Sequence, residues 1–422
     1  MNERNKKHAA KKRHVALIGC GGNVGGFAVD HLGRLADVGK VSLCDMDVYE
    51  EKNLRSQNIV PADVGRPKAI VQAERLQRIN PVLDVEAYVD SVENVPLGCL
   101  SDVDVILAAV DTRRARQVIN EIARRLNCAW IDSGVERERL LARVTVYFPG
   151  REDACGECRM TPEQYAELET SYPCQPDAGA PAPTNAPSSL GALAASLMVL
   201  ECTKVLAGET RYDGSGYEVF MEADYHNLYP TKLQRNKDCR LSEHQTGAIK
   251  PLSGFETRSI DSTLGALLRP DAASGKTKDA AGGKAKDARG SEADTTGDGP
   301  AKIDAETPPG QAPRLRVIGQ RFVTHLTCSE CGHRRAYVKL RVSLKSDGPY
   351  KCDRCGGEMI AAGFDTLEAL DGANLSRPTA ARTLRSVGIR HGDVICLSRP
   401  KRKPRYIVTL NGAQGARLKK IG

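Results

Sequence analysis

Residues 19–26 read Gly-Cys-Gly-Gly-Asn-Val-Gly-Gly and close the apolar run HVALIG at 14–19. Glycines let a backbone approach a phosphate closely, and the N-terminus of a following helix favours negative charge. Gly19, Gly21, Gly22 and Gly25 are therefore the candidate phosphate cradle. The next apolar run, VSLCDMD at 41–47, ends in Asp45 and Asp47, at the place where an acid can hold a ribose. These features alone suit ATP, NAD or FAD, and a nucleotide-binding oxidoreductase is the first reading. Asn53, Arg55, Lys68 and Asp111, with Arg116 and Asn120 downstream, change it. Lys68 would neutralise phosphate charge, and Asp111 at a strand end would hold Mg²⁺. Hydride transfer moves no phosphoryl charge and needs no such set. An NAD(P)-binding oxidoreductase stays as the alternative from another class.

Fourteen cysteines make up the second chemical signal. Cys328-x-x-Cys331 and Cys352-x-x-Cys355 stand twenty residues apart, the spacing of a zinc ribbon. Four thiolates leave no open coordination position, so this site would be structural. A third pair, Cys155-Gly-Glu-Cys158, also has metal-ligand spacing. Cys174 lies in SYPCQPDAGAPAPTNAP, a stretch short of large apolar groups. Its exposure would suit a nucleophile. Cys44, Cys99, Cys128, Cys202 and Cys396 fall in or beside apolar elements, where a thiol is packing.

The elements around these residues alternate. Strands are expected at 14–19, 41–47, 85–92, 103–111 and 129–135, with helices at 24–36, 67–79 and 113–127. Strand and helix in that order predict an α/β fold with a doubly wound, Rossmann-like parallel sheet. The run at 142–150 reads as a strand that leaves this unit. Residues 151–188 form a Pro- and Cys-rich crossing, and 189–207 return to a helix. The longest apolar run, 190–200, is followed by Glu201 and Lys204. It is too short for a span of about 20 apolar residues, so no membrane partner is expected. No export signal is visible at the N-terminus, and the expected compartment is the cytoplasm.

Four regions follow: a basic tail at 1–13, a nucleotide-binding unit at 14–250, a linker at 270–313, and a small β-rich module at 314–422. The linker is Gly, Ala, Asp, Lys, Thr and Pro with almost no large apolar side chains, a composition expected to stay disordered. It would give the last module reach without fixing its position. The net charge of +8 gathers near the N-terminus and reads as a solvated tail. The ribbon lacks interleaved basic and aromatic residues, so nucleic acid is not an expected partner.

Taken in order, GCGGNVGG, CDMDVYEEKNLRSQ, VGRPKAIVQAERLQRINP, AAVDTRRARQVIN and IDSGV…CGEC resemble the ubiquitin-activating, ThiF and MoeB-type adenylyltransferases over roughly 13–245. The resemblance implies ATP and Mg²⁺, with a ubiquitin-like or sulfur-carrier protein as substrate. The carrier's terminal carboxylate would attack the α-phosphate, giving an acyl-adenylate and pyrophosphate. Asp45 would contact the ribose, Asn53, Arg55 and Lys68 the phosphates, and Asp111 the Mg²⁺. The family pattern N-L-x-R-Q carries its arginine one position later than Asn53-Leu54-Arg55. The resemblance also implies a zinc site completed after the crossing helix, here by Cys239 and His244 beside Cys155 and Cys158. It places the active cysteine in the crossing, which makes Cys174 the acceptor, with Thr184 or Ser188 as alternatives. The segment from Thr383 to Ile395 resembles the closing turn and strand of a ubiquitin-like β-grasp, a domain that recruits a conjugating enzyme. A homodimer is the expected assembly. Conjugation of a ubiquitin-like protein is the leading reading, and activation of a sulfur carrier for thiamine, molybdopterin or tRNA thiolation is the nearest alternative.

Overall fold

The computed structural model describes residues 12–150, 153–169, 186–209, 215–237, 239, 249–265, 313–361, 365–371, 377–399 and 402–410. The first unit runs β1 (Arg13–Ile18), α1 (Gly25–Leu32), β2 (Val38–Cys44), α2 (Lys68–Ile79), β3 (Asp84–Tyr88), β4 (Val105–Ala108), α3 (Arg113–Leu126), β5 (Ala129–Glu136), β6 (Leu141–Tyr147), α4 (Pro162–Glu169), α5 (Ser188–Leu206), β7 (Tyr217–Glu222) and β8 (Asn227–Lys232). Its eight strands form one sheet in the order β3-β2-β1-β4-β5-β6-β7-β8. The strands from β3 to β5 are parallel and those from β6 on are antiparallel.

Burial explains the change of direction. Val15 to Ile18 of β1 are buried on both faces, as strands covered by helices on both sides must be. In β6 the side chains alternate instead. Ala142, Val144 and Val146 join one core and Tyr147 the other. The strand expected to leave at 142–150 therefore stays in the sheet, antiparallel to β5.

α5 has nineteen residues and is apolar enough to cross a membrane by length and composition. Here it is a core helix: Leu190, Ala194, Ala195, Met198 and Cys202 are buried in the cluster built on α1 and the sheet.

The second unit starts earlier than its composition suggests. β9 (Ile249–Ser253) pairs in parallel with the last described strand, and α6 (Ile260–Gly265) follows it. Then come β10 (Arg314–Val317), β11 (Phe322–Cys328), β12 (Arg334–Leu340), the turn α7 (Ser343–Ser346), β13 (Met359–Ile360), β14 (Thr366–Leu367), β15 (Leu370–Asp371), the turn α8 (Arg377–Ala380), β16 (Val394–Arg399) and β17 (Arg402–Leu410). One sheet runs β15-β10-β16-β17-β9, and a smaller one joins β11, β12, β13 and β14. The expected β-grasp is not what these strands draw. β16 is antiparallel to both neighbours, and no helix of this unit exceeds six residues among the described residues.

The stretch expected as a linker, 270–313, falls almost wholly outside the described residues. Its place in the chain is nonetheless corrected: it joins α6 to β10, two elements of the same unit, and does not join the two units. A protease site inserted near residue 285 and cut to completion should leave both pieces together in gel filtration, because β9 stays hydrogen-bonded to β17. Separate elution of the pieces in native buffer would contradict that pairing.

The two units touch. The Gly98 amide donates to the Gly392 carbonyl at 2.6 Å. Gln320 Nε2 donates to the Glu93 carbonyl and Arg390 Nη2 to that of Asn94, both at 2.8 Å. Residues 92–94 and 97–100 are short 3₁₀ turns, which leave such groups without partners of their own. Leu97, Val394, Ile318, Ile122 and Leu126 close the seam. Gly392 has φ +81°, and a Cβ there would lie 2.6 Å from Cys99 Sγ. The free reach expected of the C-terminal module is thus replaced by a packed contact.

Candidate active site

The glycine loop is held at the C-terminal ends of β1, β2 and β4. Gly19 has φ +78°, and a Cβ there would stand 2.4 Å from the Ala109 carbonyl oxygen. Its amide donates to the Cys44 carbonyl at 2.8 Å. A Cβ on Gly21 would stand 2.4 Å from Lys68 Cβ, so this glycine lets the lysine lie against the loop. A Cβ on Gly25 would be 2.0 Å from the Gly19 carbonyl oxygen. Gly22 has space for one; its carbonyl accepts the Gly26 amide at 3.0 Å as α1 begins.

Asp45 fixes this loop from the end of β2. Its carboxylate accepts the Gly21 amide at 2.8 Å and the Asp47 amide at 3.1 Å. Burial raises its pKa, and nearby Lys68 pulls it part of the way back. Lys68 is buried to 7% exposure and its Nζ lies 3.0 Å from Asp47 Oδ2. The ammonium thus sits between two acids and the glycine loop. Asp111 follows β4 and is exposed; its carboxylate makes no hydrogen bond or ion pair among the described residues.

Four residues expected at the site, Arg116, Asn53, Arg55 and Asn120, are placed as follows. Arg116 Nε bonds both oxygens of buried Asp132, at 2.8 and 3.1 Å. Its other nitrogens reach the Val110 and Asp111 carbonyls. It therefore braces the loop that carries Asp111. Asn53 caps its own 3₁₀ turn, its Oδ1 accepting the Glu50 amide at 2.8 Å. Arg55 is exposed and makes no ion pair among the described residues. Asn120 Oδ1 accepts the Gly156 amide at 2.9 Å.

Sequence reasoning missed two arrangements. Asp132 and Glu218, both nearly inaccessible, are joined through Arg143, with Arg159 on Glu218 at 2.7 Å. The signal was one charged residue on the same sheet face of each of three neighbouring strands, Asp132, Arg143 and Glu218. The second is Asn23, whose Nδ2 donates to the Ala186 carbonyl at 3.0 Å. It ties the end of the crossing to the glycine loop, and nothing local in the sequence announces it.

Two thiol clusters fit zinc. Tetrahedral zinc with sulfur at about 2.3 Å sets neighbouring sulfurs about 3.8 Å apart. Cys328 Sγ lies 3.4 Å from Cys355 Sγ, and Cys331 Sγ lies 3.6 Å from Cys352 Sγ, with all four sulfurs within 4.8 Å of one another. Amides of Cys331, Arg354 and Gly357 donate to these sulfurs, as is needed to hold thiolate charge. In the first unit Cys155 Sγ is 3.5 Å from Cys239 Sγ and 3.8 Å from Cys158 Sγ. The Cys155 and Cys239 thiols hold Cys158 far below the ordinary thiol range. His244, the expected fourth ligand, lies outside the described residues, as do Cys174 and Thr184. Ser188 is the first residue of α5.

The ThiF family model matches residues 2–245, more than half of the chain. The chain belongs to the ThiF family. Among ThiF-type relatives, ubiquitin-like modifier-activating enzyme 5 of Oryza sativa subsp. japonica is 31% identical over 158 residues, covering 34% of this chain and 37% of that protein. The Bombyx mori protein of the same name is 31% identical over 166 residues, covering 36% and 42%. The match thus spans about two fifths of the length of these relatives. The crystal structure of E. coli MccB with ATP matches 55% of this chain and 66% of its own, at 20% identity and a TM-score of 0.44.

Proposed function

We propose that this chain uses ATP and Mg²⁺ to adenylate the C-terminal carboxylate of a ubiquitin-like protein, then takes the carrier onto Cys174 as a thioester. The observation that carries the reading is the convergence of the glycine loop, Asp45, Lys68 and Asp111 on one edge of the sheet. The ThiF membership and the names of the relatives support it.

In this reading the start of α1 and the Lys68 ammonium face the triphosphate, and the Asp45 carboxylate accepts the ribose hydroxyls. Held by Asp111, Mg²⁺ would screen the phosphate charge. The carrier's carboxylate oxygen bonds to the α-phosphorus as the bond to the β-phosphate bridge breaks, and pyrophosphate leaves. No proton moves in that step. The Lys68 charge offsets the negative charge that builds on the α-phosphate. The Cys174 thiol then loses its proton to solvent. Its sulfur attacks the acyl carbon, and AMP departs. A conjugating enzyme would take the carrier next. The reading places this reaction in the cytoplasm and in a homodimer.

Two assays test it. Labelled pyrophosphate should exchange into ATP only when the cognate carrier is present. After incubation with ATP and carrier, non-reducing electrophoresis should show a thiol-sensitive adduct that Cys174→Ala loses while keeping exchange. An adduct that survives in the variant and resists thiol moves the acceptor to Thr184 or Ser188. Exchange with no adduct in either protein favours a sulfur carrier that leaves as its adenylate. No exchange with any carrier overturns the reading.

A further inference from the structure

A cleft of about 650 Å³ lies between the two units. Met46, Val89 and Asp90 line one wall, and Arg385, Ile389 and His391 the other. The first wall belongs to the nucleotide-binding sheet. Met46 separates Asp45 from Asp47, and Val89 and Asp90 follow β3. The second wall belongs to the C-terminal unit, next to Arg390 and Gly392, which fasten it to residues 92–100.

The sheet order β3-β2-β1-β4 sets a direction along this edge. The phosphates belong at the loop after β1, beside Lys68 and the start of α1. The ribose belongs at Asp45, after β2. The same line continues past Met46 to the end of β3, and there the cleft opens. Its volume falls in the range of small-molecule sites. Met46 is 62% exposed and Val89 46%, so apolar surface stands uncovered where a flat base would lie. Arg385 is exposed across from them, and a guanidinium can stack on a base or donate to its ring nitrogens.

We infer that the C-terminal unit supplies the outer wall of the nucleobase subsite, with Arg385 and His391 facing the base of bound ATP. The inference rests on the adenylation reading, which itself assigns the C-terminal unit no part in nucleotide binding. It makes that unit part of ATP recognition, and makes its packed seam a requirement for tight binding.

The test compares ATP with tripolyphosphate, which carries the phosphates and lacks the base. Both are titrated into the full-length protein by calorimetry without any carrier. Arg385→Ala combined with His391→Ala should weaken ATP about tenfold and leave tripolyphosphate unchanged, with zinc content and melting as in the wild type. Gly392→Val, which forces a side chain against Cys99, should weaken ATP in the same selective way by opening the seam. Met46→Lys probes the opposite wall without touching the C-terminal unit and should also weaken ATP alone. Lys68→Ala is the control and should weaken both ligands. If Lys68→Ala weakens both while the double variant and Met46→Lys bind ATP like the wild type, the inference is overturned and the adenylation reading stands. If the wild type binds neither ligand, or Lys68→Ala changes neither, both fall.

Discussion

Elemental analysis of the purified chain should find two zinc ions per subunit, and removing one of them should unfold the thiol-bearing ribbon of the C-terminal unit. The four sulfurs of Cys328, Cys331, Cys352 and Cys355 already stand at zinc spacing. The apolar cluster beneath them is small, chiefly Val323, Leu326, Tyr337 and Met359. A core of that size leaves the ribbon dependent on its metal, and structural zinc contributes about 10–16 kcal/mol in small domains. Cys352→Ser should therefore lose one zinc and the protease resistance of residues 313–361. The first unit should keep its own zinc and its sheet. Two zinc ions retained by Cys352→Ser would refute the ribbon assignment. A single zinc in the wild type, held by the C-terminal four, would rule out the site of Cys155, Cys158, Cys239 and His244.

Asp111→Ala should lower carrier-dependent pyrophosphate exchange by about 10²–10³-fold, the usual cost of removing one preorganised charge-stabilising group. The structure makes this a clean experiment. Asp111 is exposed, and its carboxylate holds no other described residue in place. The loop itself is braced by Arg116 on Asp132 and on the Val110 and Asp111 carbonyls, none of which the substitution removes. Melting should stay within a degree or two of the wild type, while Asp111→Asn should be nearly as inactive as the alanine variant. Strong exchange by a folded Asp111→Ala protein would end the Mg²⁺ assignment.

Much of the first unit was legible in the sequence because its rules are local. A parallel strand covered on both faces must be a continuous apolar run, and HVALIG and VDVILAAVD are. A glycine is needed wherever a backbone must pass within van der Waals distance of another chain segment, and Gly19, Gly21 and Gly25 meet that need. An acid ending β2 reports its own position. The four-thiol cluster was equally legible, since two C-x-x-C knuckles bring their own turns and their own sulfur spacing.

Local pattern could not decide how a charged side chain is spent. Arg116 and Lys68 are both basic residues in or at the start of helices that follow strands. Arg116 went to Asp132, which only the pairing of β5 with β6 buries beside Arg143. Lys68 stayed with the glycine loop because Gly21 leaves room for it. Asn53 satisfied its own turn because the backbone amide of Glu50 was three residues away. The placement of 142–150 needed the antiparallel partners β5 and β7, far apart in sequence. The C-terminal unit was the least legible. Its first described strand, β9, and its last, β17, are separated by the whole module and pair only once the chain has folded. Composition can mark residues 270–313 as unlike a core, but it cannot say which elements they join. The sequence by itself determined the glycine loop, the acids beside it and the paired thiols, because each works through neighbours in the chain. Tertiary structure alone decided which charges were neutralised internally and where the second unit sits, because those depend on hydrogen-bond partners and apolar surfaces brought together across hundreds of residues.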